Sequence, residues 1–132
     1  MSVILAEKSK VALDGESLTL EQVVSVARYG AKVELQPAAR HKVQKSRDYV
    51  DKIIAGNQRV YGITTGFGKF SDVVISKDDA KKLQRNLIMS HATGVGEPLA
   101  AEIVRAILLL RANALAKGFS GIRLSTLQTL ID

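Results

Sequence analysis

Four stretches of the chain carry apolar residues at helical spacing, and a fifth begins near its end. The segment "LTLEQVVSVARYG" opens with a capping box, Thr19 with Gln22, and a hydrophobic staple, Leu18 with Val23. Gly30 closes it. A second helix starts at Pro37, a residue suited to the first helical position, and runs to about Ala55, where Gly56-Asn57 stops it. Val43, Ser46, Val50, Ile53 and Ile54 form its inner stripe. A third helix starts at Ser76, with Asp79 as its capping partner and Ala80, Leu83, Leu87 and His91 as its stripe. A fourth opens at Pro98 and ends at Lys117, with Gly118 as the stop. Its run "EIVRAILLLRANALAKG" is apolar nearly all round, which predicts burial. Glu102, Arg105, Arg111 and Asn113 interrupt it too often for a membrane span. "SGIRLSTLQTLID" begins a fifth amphipathic helix.

The β signal is confined to the start. In "KVALDGESL", Asp14-Gly15 stands between two short extended runs and reads as the turn of a small hairpin. "KVEL", Lys32 to Leu35, alternates and adds a third strand. The expected fold is mainly α with a small N-terminal β hairpin or sheet. It forms a single region in which residues 1–36 make a β/α element and 37–132 the helices and loops. The all-round apolar fourth helix lacks visible partner surface, so the chain reads as part of a larger helical bundle or as a subunit.

Composition narrows the function classes. With 132 residues the chain suits one compact domain. It has no Cys, so it has neither a disulfide framework nor a thiolate metal site. No signal peptide is visible, and cytoplasmic residence is expected. The net charge of +6 raises the question of nucleic acid. The charge is even, however, at +3 in residues 1–60 and +3 in 61–132. The densest basic run, Arg40 to Arg47, reads as a solvated helix face, and it lacks the interleaved aromatics of a nucleic-acid binder.

Two glycine-rich links remain: "RVYGITTGFGKFSDV", Arg59 to Val73, and "HATGVGEP", His91 to Pro98. A P-loop would need Gly at Ile63 and Ser or Thr at Phe70; both fail. A dinucleotide loop would need Gly at Ser71. His41 and His91 have no metal-ligand partners at useful spacing, so no metal site is expected. Tyr61 and His91 stand out because glycine backbone beside them lets a ligand approach and both can move protons. Each also has a plain reading, as a packed ring with a bonded hydroxyl and as a core histidine.

"VYGITTGFGKF", "LQRNLIMSHATGVGEPL" and "VRAILLLRANALAKGFSGIR" resemble the histidine ammonia-lyase family, within the aromatic amino acid lyases and aminomutases. The resemblance runs from "LDGESLTL" to the last residue. It implies a cytoplasmic, mostly helical homotetramer that eliminates ammonia from an amino acid, for instance L-histidine to urocanate, with no nucleic-acid or membrane partner. Tyr61 matches the general base that removes the β-proton. A free phenol titrates near ~10, so such a base needs a cation or hydrogen bonds to lower it. Gly68 matches a glycine whose backbone lies against the substrate, and His91 a side chain at the substrate's ring end. No role carries onto Thr64, Thr65 or Phe67. The family's methylidene-imidazolone electrophile forms from an internal Ala-Ser-Gly. These residues encode none, the nearest being Phe119-Ser120-Gly121. The cofactor precursor is therefore expected downstream, and the chain is expected to be an N-terminal portion, inactive alone. Ser90-His91 favours histidine over tyrosine or phenylalanine as substrate. A different class of reading is a non-enzymatic helical module that associates through its fourth and fifth helices.

Overall fold

The computed structural model describes residues 10–56, 58–66, 75 and 77–132. Their elements are β1 (Lys10–Leu13), α1 (Leu20–Tyr29), β2 (Lys32–Leu35), α2 (Pro37–Ala55), α3 (Lys77–His91), α4 (Ala101–Ala116) and α5 (Leu124–Ile131). The mainly helical fold with a small sheet is as the sequence pattern predicts. The chain divides into two compact units, Met1–Asp48 with Pro98–Asp132, and Tyr49–Glu97.

In the first unit, β1 and β2 pair in parallel, with Lys10 opposite Lys32 and Leu13 opposite Leu35. This corrects the expected hairpin at Asp14-Gly15. Parallel strands need a crossover, and α1 supplies it. Asp14 makes a side-chain turn instead. Its carboxylate accepts from the Ser17 hydroxyl at 2.6 Å and from the backbone N–H groups of Glu16 at 2.7 Å and Ser17 at 2.8 Å. The chain is thereby turned toward α1, whose capping box forms as expected: Thr19 Oγ1 accepts from Gln22 N and Gln22 Oε1 from Thr19 N. Gly30 ends α1 in the left-handed region at φ 70°.

The core of this unit gathers Val11 and Leu13 from β1, Val26 from α1, Val43 from α2, Leu109, Ala112 and Leu115 from α4, and Leu127 from α5. Two close backbone approaches fix these elements. The Gly15 N–H donates to Asn113 Oδ1 at 3.1 Å, and a β-carbon at Gly15 would stand 2.7 Å from Lys117 Cγ. Gly118, at φ +79°, lies so near α2 that a β-carbon would stand 2.7 Å from the Lys42 carbonyl carbon. Beyond it, the Gly121 N–H donates to Ser46 Oγ and its carbonyl accepts from Arg47. Arg40 donates to Gln128 on α5. The basic run on α2 is thus only partly the solvated face expected of it.

Helix α4 departs from expectation twice. It begins at Ala101, because Ala100 is the extended N-cap, so Pro98 stands outside it. Nor is it buried all round. Leu109, Ala112 and Ala116 fill one face at helical spacing, while Ile103, Ile107 at 52 % and Leu110 at 53 % exposure form a second apolar stripe open to solvent. The described residues of this chain supply cover for only one of the two faces. Among the described residues, no helix is long and apolar enough to cross a membrane.

In the second unit, α3 has Leu83 and Leu87 half-buried, whereas His91, expected on that inner stripe, is exposed. Ile54 of the predicted α2 stripe is also exposed, while Ile53 is buried. The expected helix stop at Asn57, the start at Ser76 and the side chain of Ala80 lie outside the described residues.

Glycine contacts predict a graded response. Gly30 has a left-handed φ but open space, so Gly30→Ala should cost about 1–2 kcal/mol. Gly118→Ala adds a clash with α2 backbone and should cost about 1–3 kcal/mol more. Urea unfolding midpoints measure both; equal losses would contradict the close approach.

The Asp14 carboxyl is drawn down from its ordinary 3.8 to about 2, first by the Ser17 hydroxyl and then by the Ser17 and Glu16 N–H groups. Its folded value lies below its unfolded one. The stabilisation is therefore fully present above about pH 4 and is lost as pH falls through about 2. Carboxyl-detected NMR titration should give an Asp14 midpoint near 2, and Ser17→Ala should raise it. A midpoint of 3.8 in the unaltered chain would show that the turn is not formed.

Candidate active site

The loop after α2 is built from backbone and threonine contacts. Val60 O accepts from Ile63 N at 3.1 Å and Thr64 N at 3.0 Å, which winds residues 60–64 into a tight turn. Gly62 allows it with φ 70°. Thr64 Oγ1 accepts from Val60 N at 2.8 Å and donates to Gln58 O at 2.8 Å. Thr65, only 4 % exposed, accepts from Gly62 N at 3.3 Å and donates to Gly66 O at 3.1 Å. Both hydroxyls thus satisfy backbone groups that the turn leaves unpaired. The Ile75 N–H donates to Thr64 O at 3.2 Å, so the two ends of the 64–75 segment meet.

Tyr61 sits at the tip of this turn with 63 % of its surface exposed. His91 is the last residue of α3 and is also exposed. Its Nδ1 lies 2.9 Å from Leu87 O and 2.9 Å from Ser90 Oγ, and the Ser90 hydroxyl lies 2.8 Å from the same carbonyl. The link that follows is exposed throughout. A β-carbon at Gly94 or Gly96 would meet nothing within 4 Å, although Gly96 has φ +91°.

Tyr61 and His91 therefore belong to one compact unit and both present their side chains at its surface. The third sequence-predicted residue, Gly68, and its neighbour Phe67 lie outside the described residues. The sequence carries no role onto Thr64 or Thr65, and it singles out Ser90 only in the Ser90-His91 pair that favours histidine. A pair of threonines directly after a Tyr-Gly turn, and a serine beside a histidine at a helix end, are the signals that could have found them. A cleft of about 510 Å³ in the first unit, lined by Val26, Val33, Leu109, Ala112 and Ile131 among others, contains none of the sequence-predicted residues.

An exposed phenol and an exposed imidazole on this unit are the candidate functional groups. A family model described as aromatic amino acid lyase matches residues 18–132, and the chain belongs to that family. It is 60 % identical over 123 residues to a histidine ammonia-lyase of Caldanaerobacter subterraneus, covering 93 % of this chain and 24 % of that protein. Among solved structures it is similar to a histidine ammonia-lyase from Trypanosoma cruzi, at 43 % identity and a TM-score of 0.85, over 93 % of this chain and 24 % of the other. A tyrosine aminomutase from Streptomyces globisporus superposes equally well, with a TM-score of 0.85 at 40 % identity, over 93 % of this chain and 23 % of the other. The chain spans about a quarter of the length of the curated relatives it matches.

Removing the Thr64 hydroxyl tests how the loop is held. Thr64→Val should cost about 1–2 kcal/mol of local stability, read as faster hydrogen exchange at the Val60 amide. Unchanged exchange there would mean that the hydroxyl does not hold the turn.

Proposed function

We propose that these residues form the N-terminal part of a histidine ammonia-lyase, which eliminates ammonia from L-histidine to give urocanate in histidine catabolism. The observation that carries this reading is the 60 % identity to a histidine ammonia-lyase across 93 % of the chain, with Tyr61 and His91 exposed on the same unit. In the elimination, the Cβ–H and Cα–N bonds break and a Cα–Cβ double bond forms. Tyr61 Oη takes the β-proton. His91 meets the ring end of the substrate, and Gly68 lends its backbone to the substrate's approach.

The methylidene-imidazolone expected of this family does not fit the residues present. It requires Ala-Ser-Gly, and the nearest sequence is Phe119-Ser120-Gly121. That glycine is buried, with its N–H given to Ser46 Oγ at 3.0 Å and its carbonyl to Arg47. The electrophile is accordingly assigned to an Ala-Ser-Gly outside these residues, and the 132-residue chain by itself is assigned no turnover. The solvent-facing stripe of Ile103, Ile107 and Leu110 supports a homo-oligomer, a tetramer on this reading, that covers α4. Cytoplasmic residence belongs to the same reading.

A second reading within the family is a tyrosine or phenylalanine lyase or aminomutase, favoured by the similarity to the Streptomyces globisporus tyrosine aminomutase. Histidine, tyrosine and phenylalanine, each offered to a longer polypeptide that contains these residues and an Ala-Ser-Gly, decide between them. Histidine should turn over fastest, followed by the ultraviolet absorbance of urocanate. In the same polypeptide Tyr61→Phe should lower kcat by about 10²–10⁴-fold and leave KM for histidine nearly unchanged. Undiminished turnover would remove Tyr61 from the mechanism. Steady urocanate production by the 132-residue chain alone would overturn the assignment of the electrophile.

A further inference from the structure

We propose that Ser90 is a positioning residue that, together with the Leu87 carbonyl, fixes the tautomer of His91, so that Nε2 faces the substrate as a hydrogen-bond acceptor. Three short contacts converge at the end of α3. Ser90 Oγ lies 2.8 Å from Leu87 O, His91 Nδ1 lies 2.9 Å from Leu87 O, and Ser90 Oγ lies 2.9 Å from His91 Nδ1. A carbonyl oxygen can only accept, and a serine hydroxyl has one proton to give.

Consider a neutral ring with a bare Nδ1. Its lone pair would then face the Leu87 carbonyl at 2.9 Å, a repulsive contact. The single Ser90 proton could serve either the ring nitrogen or the carbonyl, not both. Now place the proton on Nδ1. It donates to Leu87 O with Ser90 Oγ as a second acceptor, and the Ser90 hydroxyl donates to Leu87 O. All three contacts become attractive. The neutral ring therefore carries its proton on Nδ1, the less populated tautomer of free histidine, and Nε2 keeps a lone pair on the side away from the helix carbonyl.

The consequence for selection follows from hydrogen-bond accounting and rests on the reading that His91 meets the substrate's ring end. An acceptor at Nε2 pairs with a ring that offers an N–H or O–H. A bare phenyl ring would leave it desolvated and unpaired, which a site built to hydrogen-bond penalises strongly. Ser90 would thus contribute to discrimination without itself touching substrate.

The tautomer can be read without any substrate. In the 132-residue chain labelled with ¹⁵N-histidine there are two histidines, and His41→Gln assigns the remaining signal to His91. At about pH 8, where ordinary imidazoles are neutral, long-range ¹H–¹⁵N spectra should show a protonated Nδ1 and a bare Nε2. Ser90→Ala should move the tautomer ratio about fivefold toward Nε2–H, the weight of one neutral hydrogen bond, and Ser90→Thr should restore it. A majority of Nε2–H in the unaltered chain, or a ratio that Ser90→Ala leaves in place, would overturn the proposal. In the longer polypeptide with an Ala-Ser-Gly, Ser90→Ala should raise KM for histidine about fivefold with kcat little changed, again rescued by Thr. A loss confined to kcat would count against it. Failure of that polypeptide to deaminate histidine, with the spectra as expected, would overturn the functional reading and leave the tautomer assignment supported.

Discussion

The last turn of α4 is where the first unit is fixed, and the constraint there is the absence of two β-carbons. Gly15 presses against Asn113 and Lys117, and Gly118 presses against the α2 backbone at Lys42. These approaches place the end of β1 and the body of α2 against the same short piece of α4. The parallel pairing of β1 with β2 then requires the chain to cross over through α1. Asp14 and Thr19 start that crossover with side-chain hydrogen bonds to backbone N–H groups. The buried set of Leu13, Val43, Leu109 and Leu127 draws one residue from each of β1, α2, α4 and α5. Such a core forms only if all four elements arrive together.

What the sequence made legible is what local physics decides. The Thr19–Gln22 box, the Gly30 stop and the span from Pro37 to Ala55 are each set by a handful of adjacent residues, and each is found where expected. The hairpin was misread because Asp-Gly satisfies two local solutions, a primed turn and an aspartate side-chain turn. The choice between them is made by a distant strand, Lys32–Leu35. Asn113 looked like a polar interruption of an apolar helix. Its partner, the Gly15 N–H, lies 98 positions away and leaves no local trace. Pro98 suits a first helical turn by its own geometry, but Leu99 and an extended Ala100 intervene before α4 begins.

The site divides in the same way. Tyr61 and His91 are candidates through their setting in two glycine-bearing motifs, since neither residue type carries a periodic or charge signal of its own. The hydrogen bonds of the threonines and Ser90 leave no mark in the sequence, because each is made to a backbone group or, for Ser90, also to the neighbouring imidazole. Thr64 joins Gln58 O and Val60 N, and Ser90 joins Leu87 O and His91 Nδ1. Ser and Thr make such bonds in many loops and helix ends, so composition does not single these out.

Exposure is the thread between the scaffold and the proposed chemistry. A phenol that is 63 % exposed competes with water for any proton it handles, and a hydrogen bond from an exposed imidazole to a substrate replaces one to water at little gain. Both groups become effective where water is excluded and neighbouring dipoles are fixed. The second apolar stripe of α4 is likewise a surface whose free energy falls when it is covered. On the proposed reading these are one requirement. Covering Ile103, Ile107 and Leu110 in an assembly provides the driving force for association, and enclosing Tyr61 and His91 in the completed enzyme turns two surface side chains into a base and a ring-end contact. The backbone-bonded hydroxyls of Thr64, Thr65 and Ser90 matter in that setting because they hold the loop and the imidazole in place before the enclosing surface arrives. Less conformational freedom is then lost when the site closes.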